Sequence, residues 1–392
     1  MNAADKAVMN NLPLAEALRD RIRRAGPITF RDWMDAALYD EREGYYCRGD
    51  RERWGREGDY RTSPERSPLF AATLARYFAK LHQELGSPAQ WTIVEAAAGA
   101  GQFAEELLGT LQGQFPKVFS ATRYVVDEAS ANSRARAQTR LAGFGDRVEF
   151  RRLNDLDLID PGIVFANELL DAFPAHRVTV RDGLLCEFYV GLGEAGTFQW
   201  TTAAPSTSRI AEYLKTVGVR LAEGQIAEIN PGIEEWMEQV AAKLRSGYVI
   251  TIDYGAEAPE LYGAPERRLG TLRAFRRHRL VDDVLARPGE QDITTTVDWT
   301  CVKRVGEKLG FEIVEFERQD QFLLNAGLLE ELEYLVEAAR DEAESTQLRT
   351  NAREMILPSG MATSFQVLVQ RKLARVTSQI DLREKVVRTI ET

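Results

Sequence analysis

Two kinds of residue in this chain are spaced for chemistry: small residues at a strand-to-helix turn, and acids at the ends of short apolar runs. The segment WTIVEAAAGAGQFAEELL (91–108) reads as a strand, a small-residue turn and a helix. Gly99 and Gly101 let backbone come close to a ligand at the helix N-terminus, where free N–H groups point outward. The glycines alone do not choose the ligand, because Gly99-x-Gly101-x-x-Ala104 also fits a dinucleotide fingerprint. Glu95, at the end of the strand, adds the missing information. A carboxylate there repels a pyrophosphate and attracts an ammonium, by several kcal/mol at ~4 Å and protein-like dielectric. That favours the methionine moiety of S-adenosylmethionine over NAD.

Further acids follow the next apolar runs. In Tyr124-Val125-Val126-Asp127-Glu128, Glu128 is the candidate to accept two ribose hydroxyls, with Asp127 in reserve. After the third run, Asn154-Asp155 offers Asp155 to an adenine amino group, although a solvated turn reads equally well. The fourth run leads into Phe165-Ala166-Asn167-Glu168-Leu169-Leu170-Asp171-Ala172-Phe173-Pro174. In a doubly wound sheet these side chains face the same crevice as the glycine turn. Glu168 and Asp171, three apart, share a face if a helix starts there. A pair of carboxylates suits the planar fork of a guanidinium, although acids also simply favour a helix N-terminus. His176 follows closely and is a candidate to orient or deprotonate an acceptor. A single histidine is more often structural.

Composition excludes several classes. Net charge is −10, which disfavours nucleic acid and anionic membrane surfaces. The arginine-rich stretch RRLGTLRAFRRHR (267–279) reads against that background as a loop that pairs with local acids or docks an acidic partner surface. Three scattered cysteines (Cys47, Cys186, Cys301) and three dispersed histidines (His82, His176, His278) suggest neither a disulfide framework nor a metal site. No apolar run approaches the ~18 residues of a bilayer span. The first residues carry Asp5, Glu16 and Asp20 and lack the apolar core of a signal peptide, so a cytoplasmic location is expected.

The elements that position these residues alternate. Strands are expected at Trp91–Ala96, Tyr124–Glu128, Val148–Arg152, Ile163–Ala166, Tyr248–Asp253, Phe311–Phe316 and Phe365–Gln370. Helices fit between most of them, for example Phe103–Leu111 and Ile233–Leu244. Residues 1–90 read as a helical N-terminal extension: Leu14, Leu18 and Ile22 recur at fours, Thr29 and Asp32 start a second helix, and Pro68–Leu85 form another. A Gly- and Arg-rich loop from Gly44 to Pro64 lies among them. The α/β domain would cover 91–392. Two interruptions break its rhythm: a β-rich insertion (175–232), with Asp182-Gly183 as its hairpin turn, and a long irregular stretch (255–300) on the substrate side. An acidic helical segment is expected from Leu328 to Glu344.

Motifs spread along the chain resemble one family, the MidA-like methyltransferases. They are GPITFRDWMDAALYD with GYY, GDYRTSPERSPLF, EAAAGAG, ANELLDAFPAHR, VITIDYG, GTLRAFRRHR, GEQDITTTVDW and ILPSGMATSFQVLVQ. Mitochondrial members of that family methylate an arginine on a respiratory complex I subunit. The resemblance implies a class I methyltransferase-like, doubly wound, mostly parallel seven-stranded sheet whose last strand is antiparallel, and S-adenosylmethionine as cofactor. It implies that Thr62, Ser63, Pro64 and Glu65 lie near that cofactor and that Asn167–Asp171 face the acceptor. Asp253, Asp292 and His278 are then candidates on the substrate side. One departure stands out. The family turn usually reads ELGPGRG, whereas Ala97 and Ala98 replace its first glycine and its proline. If Ala97 needs positive φ, the cost is about 1 kcal/mol.

These readings converge on protein-arginine N-methylation, with a partner protein such as a complex I-type subunit as acceptor. A small-molecule O- or N-methyltransferase and a catalytically weak assembly factor are the alternatives.

Overall fold

The computed structural model describes residues 13–48, 67–276, 279–357 and 364–374. Thr62, Ser63, Pro64 and His278 lie outside them.

Among the described residues the central sheet has eight strands, seven of them along its main path: β1 (Trp91–Ala96), β2 (Thr122–Asp127), β3 (Val148–Phe150), β4 (Gly162–Asn167), β5 (Gly247–Ala256), β6 (Glu312–Arg318) and β7 (Phe365–Lys372). Their order across the sheet is β3-β2-β1-β4-β5-β7-β6, and a short strand, Val297–Asp298, extends the end of β5. Strands β1 to β5 are mutually parallel, while β7 runs antiparallel to both β5 and β6. The central strands read as near-continuous apolar runs because both faces are covered. One face packs under the helices Pro68–Glu84 and Gln102–Gln114, the other under Arg209–Val217, Gly232–Lys243 and Trp299–Lys308. At the edge, β6 has neighbours on one side only, so Ile313 and Val314 stay exposed, and a bulge falls between Ile313 and Glu315.

The β insertion is a separate antiparallel sheet. His176–Arg181 and Leu184–Leu192 form the expected hairpin, with Asp182 (φ 52°) and Gly183 (φ 73°) both left-handed at its turn, as a two-residue hairpin loop with matching twist requires. Phe198–Ala203 pairs on one side of this hairpin and Ile226–Ile229 on the other. The N-terminal extension contributes an unexpected strand: Ile28–Thr29 pairs with Tyr189 and Val190. Thr29 then caps the helix Phe30–Tyr39 by accepting from Asp32 N at 3.0 Å. Leu14, Leu18, Ile22, Phe30, Trp33 and Leu38 share a third core with Val190, Ala274 and Ile293.

One expectation needs correction. The stretch 255–300 is not irregular throughout, since Arg273–Arg276 sits between Arg279–Leu280 and Asp292–Thr294 in a small antiparallel sheet. The acidic segment is two helices, Leu328–Glu337 and Glu342–Ile356. Asp341 starts the second by accepting from Glu344 N at 2.8 Å, a local cap that overrides the continuous helical pattern.

Candidate functional site

The glycine turn stands at the carboxyl end of β1. Ala97, Gly99 and Gly101 all have left-handed backbones, at φ 56°, 55° and 77°. Ala97 therefore does occupy the conformation that costs an alanine about 1 kcal/mol. Its N–H donates to Asp127 O at 2.8 Å, tying the turn to the end of β2. Gly101 opens the helix Gln102–Gln114, and a Cβ there would stand 3.0 Å from that of Ala137. Glu128 completes the tie: its carboxylate accepts from Gly99 N at 2.8 Å and from Ser130 N at 2.6 Å. Asp127, its neighbour, instead faces Arg152 Nε at 3.0 Å and Leu153 N at 3.2 Å. Asp155 is exposed at the end of the turn Leu153–Asp155, with its carbonyl accepting from the Arg151 guanidinium.

Glu95 is buried in the sheet end, where the Tyr124 hydroxyl donates to it at 2.7 Å. Burial outweighs that hydrogen bond and, with Glu128 nearby, pushes the carboxyl pKa up to about 8. A cationic group brought against it would restore its charge. That is the physical complement of an ammonium-bearing ligand.

At the end of β4 the helix start that would have put Glu168 and Asp171 on one face does not form. After β4 ends at Asn167 the chain bends, and Glu168 adopts a left-handed backbone (φ 51°) with its N–H donating to Ile252 O at 2.9 Å. Asp253 supplies the reason. Its side chain, fully buried at the end of β5, accepts from Leu170 N at 2.9 Å and Asp171 N at 3.3 Å through Oδ2, and from Tyr254 N at 2.9 Å through Oδ1. These bonds capture N–H groups in a tight turn. Glu168 and Asp171 thus come together around Asp253 rather than along a helix face. Burial, then Asp171 and Glu168, drive the Asp253 carboxyl well above the usual range. Burial raises Asp171 to about 6 against an opposing hydrogen bond from the Tyr254 hydroxyl. Asn167 Nδ2 reaches Glu168 Oε1 at 3.3 Å, while its Oδ1 is buried without a hydrogen-bond partner among the described residues.

Three tyrosines that sequence reasoning passed over wall this cluster. The Tyr39 hydroxyl donates to Ala172 O at 3.0 Å, its ring stacks on Tyr46, and Tyr46 donates to Asp292 at 2.6 Å. Tyr254 stands beside Asp171 and Thr294 and influences the ionisation of Asp171. Burial and the acids around it, Asp171, Asp292, Asp35 and Glu128, hold the Tyr39 hydroxyl well above its usual pKa. Of these acids, Glu128 belongs to the glycine-turn side and Asp171 to the turn after β4. The signal was present in GYY and IDYG, but tyrosines in apolar settings read first as packing. The buried ring of His176 contacts Glu187 at 2.7 Å, bracing the hairpin, and Glu187 also accepts from Ser206 N.

The arginine-rich stretch is partly neutralised by local acids. Arg267 pairs with Glu260 at 3.0 Å and Arg276 with Glu290 at 3.6 Å. Among the described residues no group of three or more His, Cys, Asp or Glu side chains could hold a metal ion, and no helix is long and apolar enough to cross a membrane.

A sheet of this order with one antiparallel strand, and buried acids facing a glycine turn at its carboxyl end, defines a class I methyltransferase architecture. The chain belongs to the MidA-like family of S-adenosyl-L-methionine-dependent methyltransferases, whose family model matches residues 73–316. A crystal structure from Burkholderia thailandensis bound to S-adenosyl-homocysteine is similar to it over 95% of this chain and 94% of that one, with 29% identity and a TM-score of 0.81. The Drosophila melanogaster protein arginine methyltransferase NDUFAF7 homolog, mitochondrial, is 26% identical over 93% of this chain and 86% of its own length. The Homo sapiens protein arginine methyltransferase NDUFAF7, mitochondrial, is 25% identical over 90% and 82%. S-adenosylmethionine is accordingly the methyl donor. The expected cytoplasmic location gains no support from these animal relatives, which are named as mitochondrial.

Proposed function

We propose that the protein transfers the methyl group of S-adenosylmethionine to a guanidinium nitrogen of an arginine on a partner protein. The observation that carries this reading is the gathering of Glu168, Asp171 and Asp253 in the turn after β4, with Asp292 joined to that turn through the stacked pair Tyr46 and Tyr39. So many carboxyl groups in one buried place call for a cationic guest. The names of the relatives support an arginine as that guest, and a respiratory complex I-type subunit is the acceptor that the family resemblance suggests.

On the donor side, Glu95 would take the ammonium, the backbone of Ala97, Gly99 and Gly101 would line the turn, and Glu128 would accept ribose hydroxyls. Asp155 is the candidate for the adenine amino group, and the unpartnered oxygen of Asn167 remains for a donor on the bound molecules. The cofactor supplies an electrophilic methyl on its sulfonium. The chain's own residues supply orientation and a proton sink. Glu168 and Asp171 would hold the guanidinium in place, which is where most of the acceleration originates. A guanidinium (pKa above ~12) is not nucleophilic until it gives up a proton. Asp171, raised to about 6 by burial, is a stronger base than an ordinary carboxylate and is the candidate to receive it. Asp253 holds the turn that carries both acids, and Asp292, held by Tyr46, closes the wall. His176 acts at most through the hairpin it braces.

The test is incubation of the full chain with methyl-labelled S-adenosylmethionine and mitochondrial or bacterial complex I subunits, followed by mass spectrometry of the products. Label on arginine supports the reading. Label confined to a small molecule or to another side chain refutes it.

A further inference from the structure

The small sheet beside the cleft has two unlike faces. Cross-strand partners point the same way, so Arg273 with Thr294, and Leu280 with Phe275 and Asp292, share one face. Ala274 and Ile293 turn to the other face, where both are fully buried in the N-terminal core. The first face is continuous with the acidic cluster: Asp292 receives the Tyr46 hydroxyl, and the N–H of Thr295, next along the strand from Thr294, donates to Asp171 O at 2.9 Å. Moving outward from Asp292 come Phe275, half-buried, and Leu280, which is 63% exposed. Arg273 stands at the same edge with its guanidinium 5.8 Å from the centre of the Tyr254 ring. It is exposed and makes no ion pair with any described residue, whereas Arg276 on the opposite face is paired with Glu290.

An apolar shelf and a cation with no ion pair among the described residues, beside an acidic cluster, form a bipolar surface in a protein of net charge −10. A free arginine side chain entering the cleft would use neither. We infer that this face is a docking ledge for the acceptor polypeptide next to its methylated residue, taking an apolar side chain against Phe275 and Leu280 and a carboxylate against Arg273. The assignment rests on the arginine-methylation reading for what enters the cleft, but the ledge can be measured separately from it.

The experiment uses the full chain saturated with S-adenosylhomocysteine and short fluorescent peptides. One peptide carries a central arginine flanked by leucine and aspartate, and a second has serine and lysine at the flanking positions. Two more repeat these flanks around citrulline, which keeps the shape of arginine and lacks its charge. The leucine–aspartate peptide is expected to bind ~10-fold or more tightly than the serine–lysine peptide, a gap of the size that rim charge plus one buried apolar side chain produces. Arg273→Glu should shift the preference toward lysine, and Phe275→Ala with Leu280→Ser should remove the leucine advantage. Equal binding of the two flanks, no binding of either, or an unchanged preference in Arg273→Glu overturns the ledge. A flank preference that persists while arginine and citrulline bind alike upholds the ledge and sinks the arginine reading. The reverse pattern sinks the ledge alone.

Discussion

Replacing Glu95 by glutamine removes a carboxyl whose pKa burial holds at about 8 in the cofactor-free protein. At pH ~6.5 such a group is ionised in only about 3% of molecules, and ionising it costs about 2 kcal/mol. An ammonium brought against it favours the carboxylate, so binding should expel the proton. S-adenosylhomocysteine carries the same amino-acid moiety, and at that pH its own amino group (pKa ~7.7–8.0) is already mostly charged. Nearly one proton should therefore be released per ligand bound, and affinity should rise ~10-fold per pH unit from about 5.5 to 6.5, levelling off as pH approaches about 8. Titration calorimetry in two buffers of different ionisation enthalpy reads this directly. Glu95→Gln should release almost none and show a flat pH dependence. Wild-type binding without proton release, or equal release by the glutamine variant, would refute the pairing of Glu95 with the ammonium. The same group is linked to folding. Its folded pKa lies above the unfolded 4.5, so its contribution to stability is full below that value and is lost as pH rises through about 8. Glu95→Gln should flatten that decline in cofactor-free melts.

Three further outcomes follow from particular bonds. Ala97→Gly relieves a left-handed alanine and should raise stability by about 1 kcal/mol in chemical denaturation, and a loss of that size would contradict the strain. Glu128→Ala should weaken S-adenosylhomocysteine by ~10-fold or more, because it removes the carboxylate that ties down Gly99 as well as the proposed ribose contact. If Asp127→Ala costs more in the same titration, the assignment of neighbours is reversed. Asp253→Ala orphans three backbone N–H groups and should lower stability by ~3 kcal/mol or more, with turnover falling further than cofactor affinity. A near-neutral melt would show that the turn does not depend on it.

The central sheet was legible from residues because its strands are buried on both faces, so runs such as Ile163-Val164-Phe165 stand out from their surroundings. The hairpin at Asp182-Gly183 was legible for a different reason, since its turn demands positive φ and the dipeptide announces it. What stayed hidden depends on partners distant in sequence. Glu168 and Asp171 fit a helix start as well as they fit a bend, and only Asp253, more than 80 residues away, decides between them. The strand Ile28–Thr29 is too short to carry an alternating pattern and exists because Tyr189 and Val190 offer it an edge. Tyr39, Tyr46 and Tyr254 carry no chemical spacing in the sequence, and it is the fold that sets the hydroxyls of Tyr39 and Tyr46 on Ala172 O and Asp292. The antiparallel β7 came from family resemblance and not from periodicity, which is blind to strand direction.

The claim that paired acids hold and neutralise a guanidinium is tested most directly by turnover of Glu168→Gln and Asp171→Asn on an arginine-containing protein acceptor, with S-adenosylmethionine affinity measured on the same preparations. Each substitution keeps shape and hydrogen-bonding capacity while removing charge. Loss of one charge-assisted contact made in the transition state should slow methyl transfer by ~10²-fold or more. Cofactor affinity should stay within a few-fold, and for wild type the rate should fall as pH drops through about 6, where Asp171 takes up its proton. Unchanged turnover in both variants would contradict the account, whatever the cofactor titration shows.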